Sequence, residues 1–257
     1  MKVSGYGEKL SQAYDALNGE VNYAEWADFY EACVARFCTA KGKHVCEMAC
    51  GTGSMALELE KRGWHVTAFD ASNAMLTLAD KKAQDAGVKN IRFTQQDMRD
   101  FRVYTPAQMI LCMMDSLNCL AAPGEVASAF ESAYQALEDG GIFIFDVNTR
   151  RKFETVYADN AYILEDERVL LAWQNFYNRN TKKCDLYLTF FFEGADGRYD
   201  RCEEHIKQRM YPSRTLERLL ADAGFEVLCR TGGFDFSPAD ENTCDRLFYV
   251  CGKKKQG

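Results

Sequence analysis

Glu47, Asp70 and Asp97 stand in or just past short apolar runs, and a Gly-X-Gly turn at Gly51 and Gly53 lies between the first two. That combination suits a nucleoside cradle. Glycines let the backbone come close to a ligand, and a helix N-terminus behind them offers free N–H groups. Asp70 follows Gly51 by about 20 residues, where a carboxylate accepts both hydroxyls of a ribose. "GTGSMA" also satisfies the dinucleotide pattern G-x-G-x-x-A, so the turn alone suits two cofactor classes.

The other carboxylates separate them. Glu47 lies inside the first run, where a pyrophosphate would be repelled and a ligand ammonium attracted. Asp97, in "TQQDMRDF", follows the third run and is placed to accept from an adenine amino group. An ammonium, a ribose diol and an adenine edge, with no phosphate, describe S-adenosylmethionine.

Two further groups are candidates for proton chemistry. His205, in "CEEHIKQRMY", is one of three histidines and shares a strand face with Glu203, Lys207, Arg209 and Tyr211. It is the candidate general base. Asp115, in "MMDSLN", follows the fourth run and is the second catalytic candidate, beside Ser116 and Asn118. Near the start, Tyr14, Tyr23 and Trp26 belong to an aromatic helical segment suited to close over a ligand.

These residues need a scaffold. Apolar runs at 44–49, 65–70, 90–94, 107–114 and 141–147 alternate with helical patterns at 54–62, 72–86 and 124–138. Such alternation predicts a doubly wound, mostly parallel α/β sheet with its site at the carboxyl ends of the strands. Residues 161–211 instead carry long β-prone runs, with "NRNTKK" and "GADGR" as turns, and read as an inserted antiparallel sheet. "SRTLERLLADAGFEVL" restarts the α/β pattern with Ser213 as N-cap. The run from Leu247 to Cys251 then closes an antiparallel hairpin at the edge of a Rossmann-like, seven-stranded sheet. The expected division is a helical lid at 1–42, an α/β core at 43–150 and 213–257, and an inserted β subdomain at 151–212 that covers the substrate.

Bulk properties narrow the function. A net charge of −7 gives no general attraction to nucleic acid or anionic lipid. The 11 cysteines include no C-x-x-C pair, which suits reduced thiols packed as small core residues in a cytoplasmic protein and no metal site. No run reaches the ~18 apolar residues of a membrane span.

The chain resembles the class I S-adenosylmethionine-dependent methyltransferases, and is similar to small bacterial members with a β insertion. The resemblance rests on "EMACGTGS", "VTAFDASNAML", "TQQDMRDF", "DSLNCL", "GGIFIFDVNT", "EEHIKQRMY" and "LERLLADAGFEV", with "YDAL" and "NYAEW" near the start. It implies that Glu47, Ala49, Gly51 and Gly53 line the methionine end, that Asp70 holds the ribose, and that Met75, Asp97 and Met98 surround the adenine. It also implies that Cys112 and Met113 face the sulfonium, while Tyr14, Tyr23 and Trp26 close over the cofactor. Ala49 stands where a glycine is common, and its methyl fits if the backbone there is extended. "MMDS" is unlike an Asn/Asp-Pro-Pro-Tyr box, and no Pro-Cys nucleophile is present, which points away from adenine, glutamine and pyrimidine-carbon acceptors. The expected reaction is in-line methyl transfer to nitrogen or oxygen of a small molecule, by a monomer or homodimer. A nicotinamide-dependent oxidoreductase and a non-catalytic cofactor-binding module are the alternatives.

Overall fold

A computed structural model describes residues 8–166 and 169–253. The start of the expected lid, 1–7, and the chain end, 254–257, lie outside the described residues. Two helices open the chain, α1 (Glu8–Leu17) and α2 (Tyr23–Phe37), the second capped by Asn22 accepting from the Glu25 amide. Then β1 (His44–Met48), α3 (Ser54–Lys61), β2 (His65–Asp70), α4 (Asn73–Asp85), β3 (Ile91–Gln95), β4 (Ala107–Cys112), α5 (Pro123–Ala136) and β5 (Leu137–Asn148) alternate as the apolar periodicity requires.

After a π-turn at Lys152–Tyr157 come the antiparallel strands β6 (Ala161–Asp166), β7 (Val169–Asn178), β8 (Lys183–Glu193) and β9 (Tyr199–Arg209). The chain then returns through α6 (Ser213–Asp222), β10 (Phe225–Thr231) and β11 (Arg246–Lys253). Pro212, rather than Ser213, occupies the cap of α6, and Ser213 is its first helical residue.

The main sheet has seven strands in the order β10-β11-β5-β4-β1-β2-β3. Only β11 runs against its neighbours, and it pairs with both β10 and β5. The expected edge hairpin is therefore present, with β10 as the edge strand and β11 inside it, paired to β5 as well. Burial accounts for this, because β11 is apolar and buried along almost its whole length whereas much of β10 is open to solvent.

Two apolar layers sandwich the main sheet. A third cluster joins the inner face of the inserted sheet to α1 and the π-turn: Leu10 and Ala13 pack with Phe153, Tyr157, Leu186, Phe190 and Ile206. Helix α1 thus packs against the inner face of the inserted sheet. Asp15 fastens its other side to the glycine turn, accepting from Thr52 Oγ1 at 2.5 Å and pairing with Lys82 at 2.7 Å. Among the described residues no helix is long and apolar enough to cross a membrane. All 11 cysteines are free thiols, many of them buried, and no described group of side chains could hold a metal.

Candidate active site

A cavity of about 280 Å³ opens above the carboxyl ends of β1, β2 and β3, where Tyr14, Ala49, Gly51, Asp70, Met75, Asp97 and Met98 line it. It continues as a narrow cleft bounded by Tyr23, Glu47, Met113, Met114 and Ser116, with Tyr14, Ala49, Gly51 and Ser116 shared by both parts. The carboxyl ends of β1 to β4 reach this rim because parallel βαβ units point their carboxyl ends the same way.

Three carboxylates occupy different electrostatic settings. Asp70 accepts from the Gly51 amide at 2.9 Å and from the Ser72 amide at 2.8 Å, which fixes its orientation beside the cavity. Burial pushes its carboxyl up, and those backbone amides offset part of the shift. Glu47 is only 1% exposed; its carboxyl bonds the Ala56 backbone in the first turn of α3, and Oε2 has no partner. Desolvation, with the Asp70 charge nearby, raises Glu47 to about 8. Asp97 lies at the open end, where Arg99 bonds it at 2.5 Å and also reaches Glu125 at 2.8 Å. That guanidinium holds Asp97 below the usual carboxylate range.

The glycines divide the labour. A Cβ at Gly51 would meet only Tyr14 Cε1, at 3.8 Å, so this residue gives the open approach. Gly53 is left-handed, and a Cβ there would press on Ala79 and Phe93 at 3.0 Å; it serves helix–strand packing and does not line the cleft. Ala49 lines the cavity, but its backbone is left-handed (φ 52°) rather than extended. Its methyl group therefore carries local strain.

Tyr14 and Tyr23 stand over the cleft, and burial pushes both phenols up, so both remain protonated donors at neutral pH. Trp26 does not join them. It packs edge-on against Phe234 at 5.5 Å and Phe248 at 5.4 Å, under the Arg246 guanidinium, because α2 turns that face toward the main sheet. Cys112 is likewise turned into the apolar layer and is fully buried, while Met113 reaches the cleft.

The catalytic candidates also separate. His205 lies on the outer face of the inserted sheet, stacked on Tyr187 at 4.4 Å and bonded to Asp185 at 2.7 Å. Strand alternation correctly divides β9 into two faces, but the inward one carries Glu204, Ile206 and Gln208, which are buried. Asp115 does stand beside the cleft, with both oxygens engaged: Gln208 Nε2 donates to Oδ2 at 2.7 Å and Arg246 Nη2 to Oδ1 at 2.9 Å. Asp146 accepts from the amides of Met114 at 2.7 Å and Asp115 at 2.8 Å and pairs with Arg246.

Gln208 and Arg246 were missed in the sequence, although a signal was present: Gln208 is polar between apolar Ile206 and Met210 at i±2, and Arg246 opens a strand that runs on through apolar Leu247 to Cys251.

The cavity fits an adenosyl sulfonium amino acid. Asp70 offers an aligned carboxylate for a diol, and the unpartnered Glu47 Oε2 faces the narrow end where an ammonium would lie. Arg99, the cation among the lining residues, is already committed to Asp97 and Glu125, so a pyrophosphate finds no ready partner.

Comparison with known proteins agrees. Residues 45–141 match the methyltransferase domain family. A methyltransferase-family protein of Geobacillus sp. (strain WCH70) is 32% identical, the alignment covering 96% of this chain and 99% of the relative. An S-adenosylmethionine-dependent methyltransferase from Clostridium acetobutylicum ATCC 824 superposes with a TM-score of 0.84 at 26% identity, covering 95% of this chain and 98% of that one. An amino-sugar N,N-dimethyltransferase of Streptomyces fradiae, named for a dTDP-3-amino-3,6-dideoxyglucopyranose, is 24% identical over 89% of this chain and 88% of its own.

Proposed function

Because this chain belongs to the class I S-adenosylmethionine-dependent methyltransferases, we propose that it methylates a nitrogen or oxygen of a small molecule that enters beside the Met113–Ser116 loop, under the inserted sheet. The observation that carries the reading is the buried, half-partnered carboxyl of Glu47 at the closed end of a cavity whose middle is Asp70. In this reading Glu47 receives the ligand ammonium, Asp70 the ribose, and Met75, Met98 and Asp97 surround the adenine. Tyr14 and Tyr23 close the cleft. The likeness to an amino-sugar methyltransferase favours nitrogen as the accepting atom and a polar small molecule as its carrier.

S-adenosylmethionine supplies an electrophilic methyl group on a positively charged sulfur. The protein's part is alignment of the nucleophile and exclusion of water. Tyr14 and Met113 form the dry wall at the sulfonium end, and Ser116 marks where the cleft meets the wider cavity. Both oxygens of Asp115 are engaged by Gln208 and Arg246, which suits an acceptor that arrives as a neutral amine and needs no base.

Thermal denaturation tests the cofactor assignment. S-adenosylmethionine or S-adenosylhomocysteine at a hundred times the dissociation constant should add about 2.7 kcal/mol of stability, and NAD(H) none. Stabilisation by NAD(H) alone would replace this reading with an oxidoreductase. Release of S-adenosylhomocysteine from metabolite fractions, with Asp70→Ala as control, then identifies the acceptor.

A further inference from the structure

Met114 and Asp115 are consecutive non-glycine residues in the left-handed region, at φ 53° and 52°. They follow β4 after Met113, near Ala49 just past the end of the adjacent strand β1, so strained backbone is concentrated at the narrow end of the cleft. Such conformations persist only where surrounding groups over-determine them. Here the surrounding groups are visible: Asp146 takes both amides, Arg246 bridges Asp146 to Asp115, and Gln208 reaches Asp115 from the inserted sheet.

The end of β9 is stitched to the same loop at other points. Arg209 O accepts from Asn118 Nδ2 at 2.8 Å, Arg209 Nη1 donates to Ala121 O at 3.3 Å, and Tyr211 Oη donates to Leu120 O at 2.5 Å. Those bonds hold the insertion in place. Of the β9 residues in these bonds, Gln208 is the one whose side chain bonds the Asp115 carboxylate, and it is only 4% exposed.

We propose that Gln208 is a positioning residue: through Asp115 it makes the inserted sheet set the conformation of the Met113–Ser116 loop, and thereby the geometry and affinity of the cofactor's sulfonium end. The inference rests on the cofactor placement proposed above. It assigns the insertion a second task besides covering the acceptor, because a shift of β9 against the core reaches the strained pair through the Gln208–Asp115 hydrogen bond.

The test uses the full chain and S-adenosylhomocysteine as probe, with affinity by calorimetry, amide exchange by mass spectrometry or NMR, and thermal midpoint. Gln208→Leu should weaken S-adenosylhomocysteine about fivefold and speed exchange of the Met114 and Asp115 amides about tenfold, while the remaining stitches hold the midpoint within about 3 °C. Gln208→Glu places two carboxylates together and should do worse. Gln208→Glu combined with Asp115→Asn reverses donor and acceptor at unchanged net charge, and should recover affinity to within about threefold of wild type. Wild-type affinity in Gln208→Leu, or a double variant no better than Gln208→Glu, would overturn the proposal. Undiminished binding by Asp70→Ala would instead remove the cofactor placement beneath it.

Discussion

The two sheets of this molecule treat polar residues in opposite ways. The parallel sheet is buried on both faces, so its strands can tolerate polar side chains chiefly at their ends, and those ends are gathered on one rim. The inserted sheet is antiparallel and buried on one face only; polar side chains occur all along it, and most face solvent. In the first sheet a polar residue's position implies its surroundings. In the second, position fixes only which face it shares, and the choice between site and solvent is made by what packs below.

The contrast would be broken most sharply by a rim carboxylate that did nothing. Asp70→Ala removes an acceptor already held by the Gly51 and Ser72 amides and aimed at the ribose station. Two charge-assisted hydrogen bonds are at stake, and the expected cost is about 3 kcal/mol, or roughly a hundredfold in S-adenosylhomocysteine affinity by calorimetry. A change below about threefold would mean the rim does not bind the cofactor as proposed.

Glu47→Gln sharpens the comparison within the rim, since it tests a carboxyl that burial rather than pairing controls. Its folded value of about 8 lies above the ordinary 4.5, so the folded state holds the proton more tightly. Stability is then fullest below about pH 4.5 and declines as pH rises toward about 8, by up to ~1.4 kcal/mol per unit. Glu47→Gln removes that decline, and the ligand-free variant should melt higher than wild type at pH 8. Cofactor binding should show the reverse preference: affinity in the wild type grows with pH up to about 8, with proton release detectable by calorimetry in two buffers, and the variant binds about tenfold more weakly. A flat pH dependence of affinity would show that Glu47 does not meet the ammonium.

How much of this was legible follows from the same contrast. The strand and helix order of the core could be read because runs buried on both faces are continuous and helical periodicity separates them; boundaries moved by a few residues, most at β5, which begins at Leu137. Glu47, Asp70, Asp97 and the glycine turn could be placed because topology alone carries strand ends to one rim. Ala49's backbone, Trp26's orientation and the inward face of β9 could not. Each depends on a partner remote in sequence: Trp26 on Phe234 and Phe248, and Gln208 on a loop before β5. The interior place of β11 is the same kind of fact, since it comes from pairing with β5, about a hundred residues away, as well as with β10.

The smallest expected effect is the one that most directly tests the inserted sheet. His205 is the residue whose chemistry most resembles a general base, yet its ring stacks on Tyr187, itself 44% exposed, and its Nε2 meets Asp185 on the solvent face. The inward positions on either side of it, Glu204 and Ile206, are buried, so a substrate beneath the sheet would meet those side chains instead. A partly exposed hydrogen bond and one stacked ring contribute little, about 1 kcal/mol together. His205→Ala should therefore lower the thermal midpoint by no more than a few degrees, and leave turnover of whichever acceptor the metabolite screen identifies within about twofold across the pH range. If instead turnover fell more than about tenfold with the midpoint unchanged, the outer face would have to take part in the reaction. The division between a rim that does chemistry and a sheet face that meets water would then fail at its clearest point.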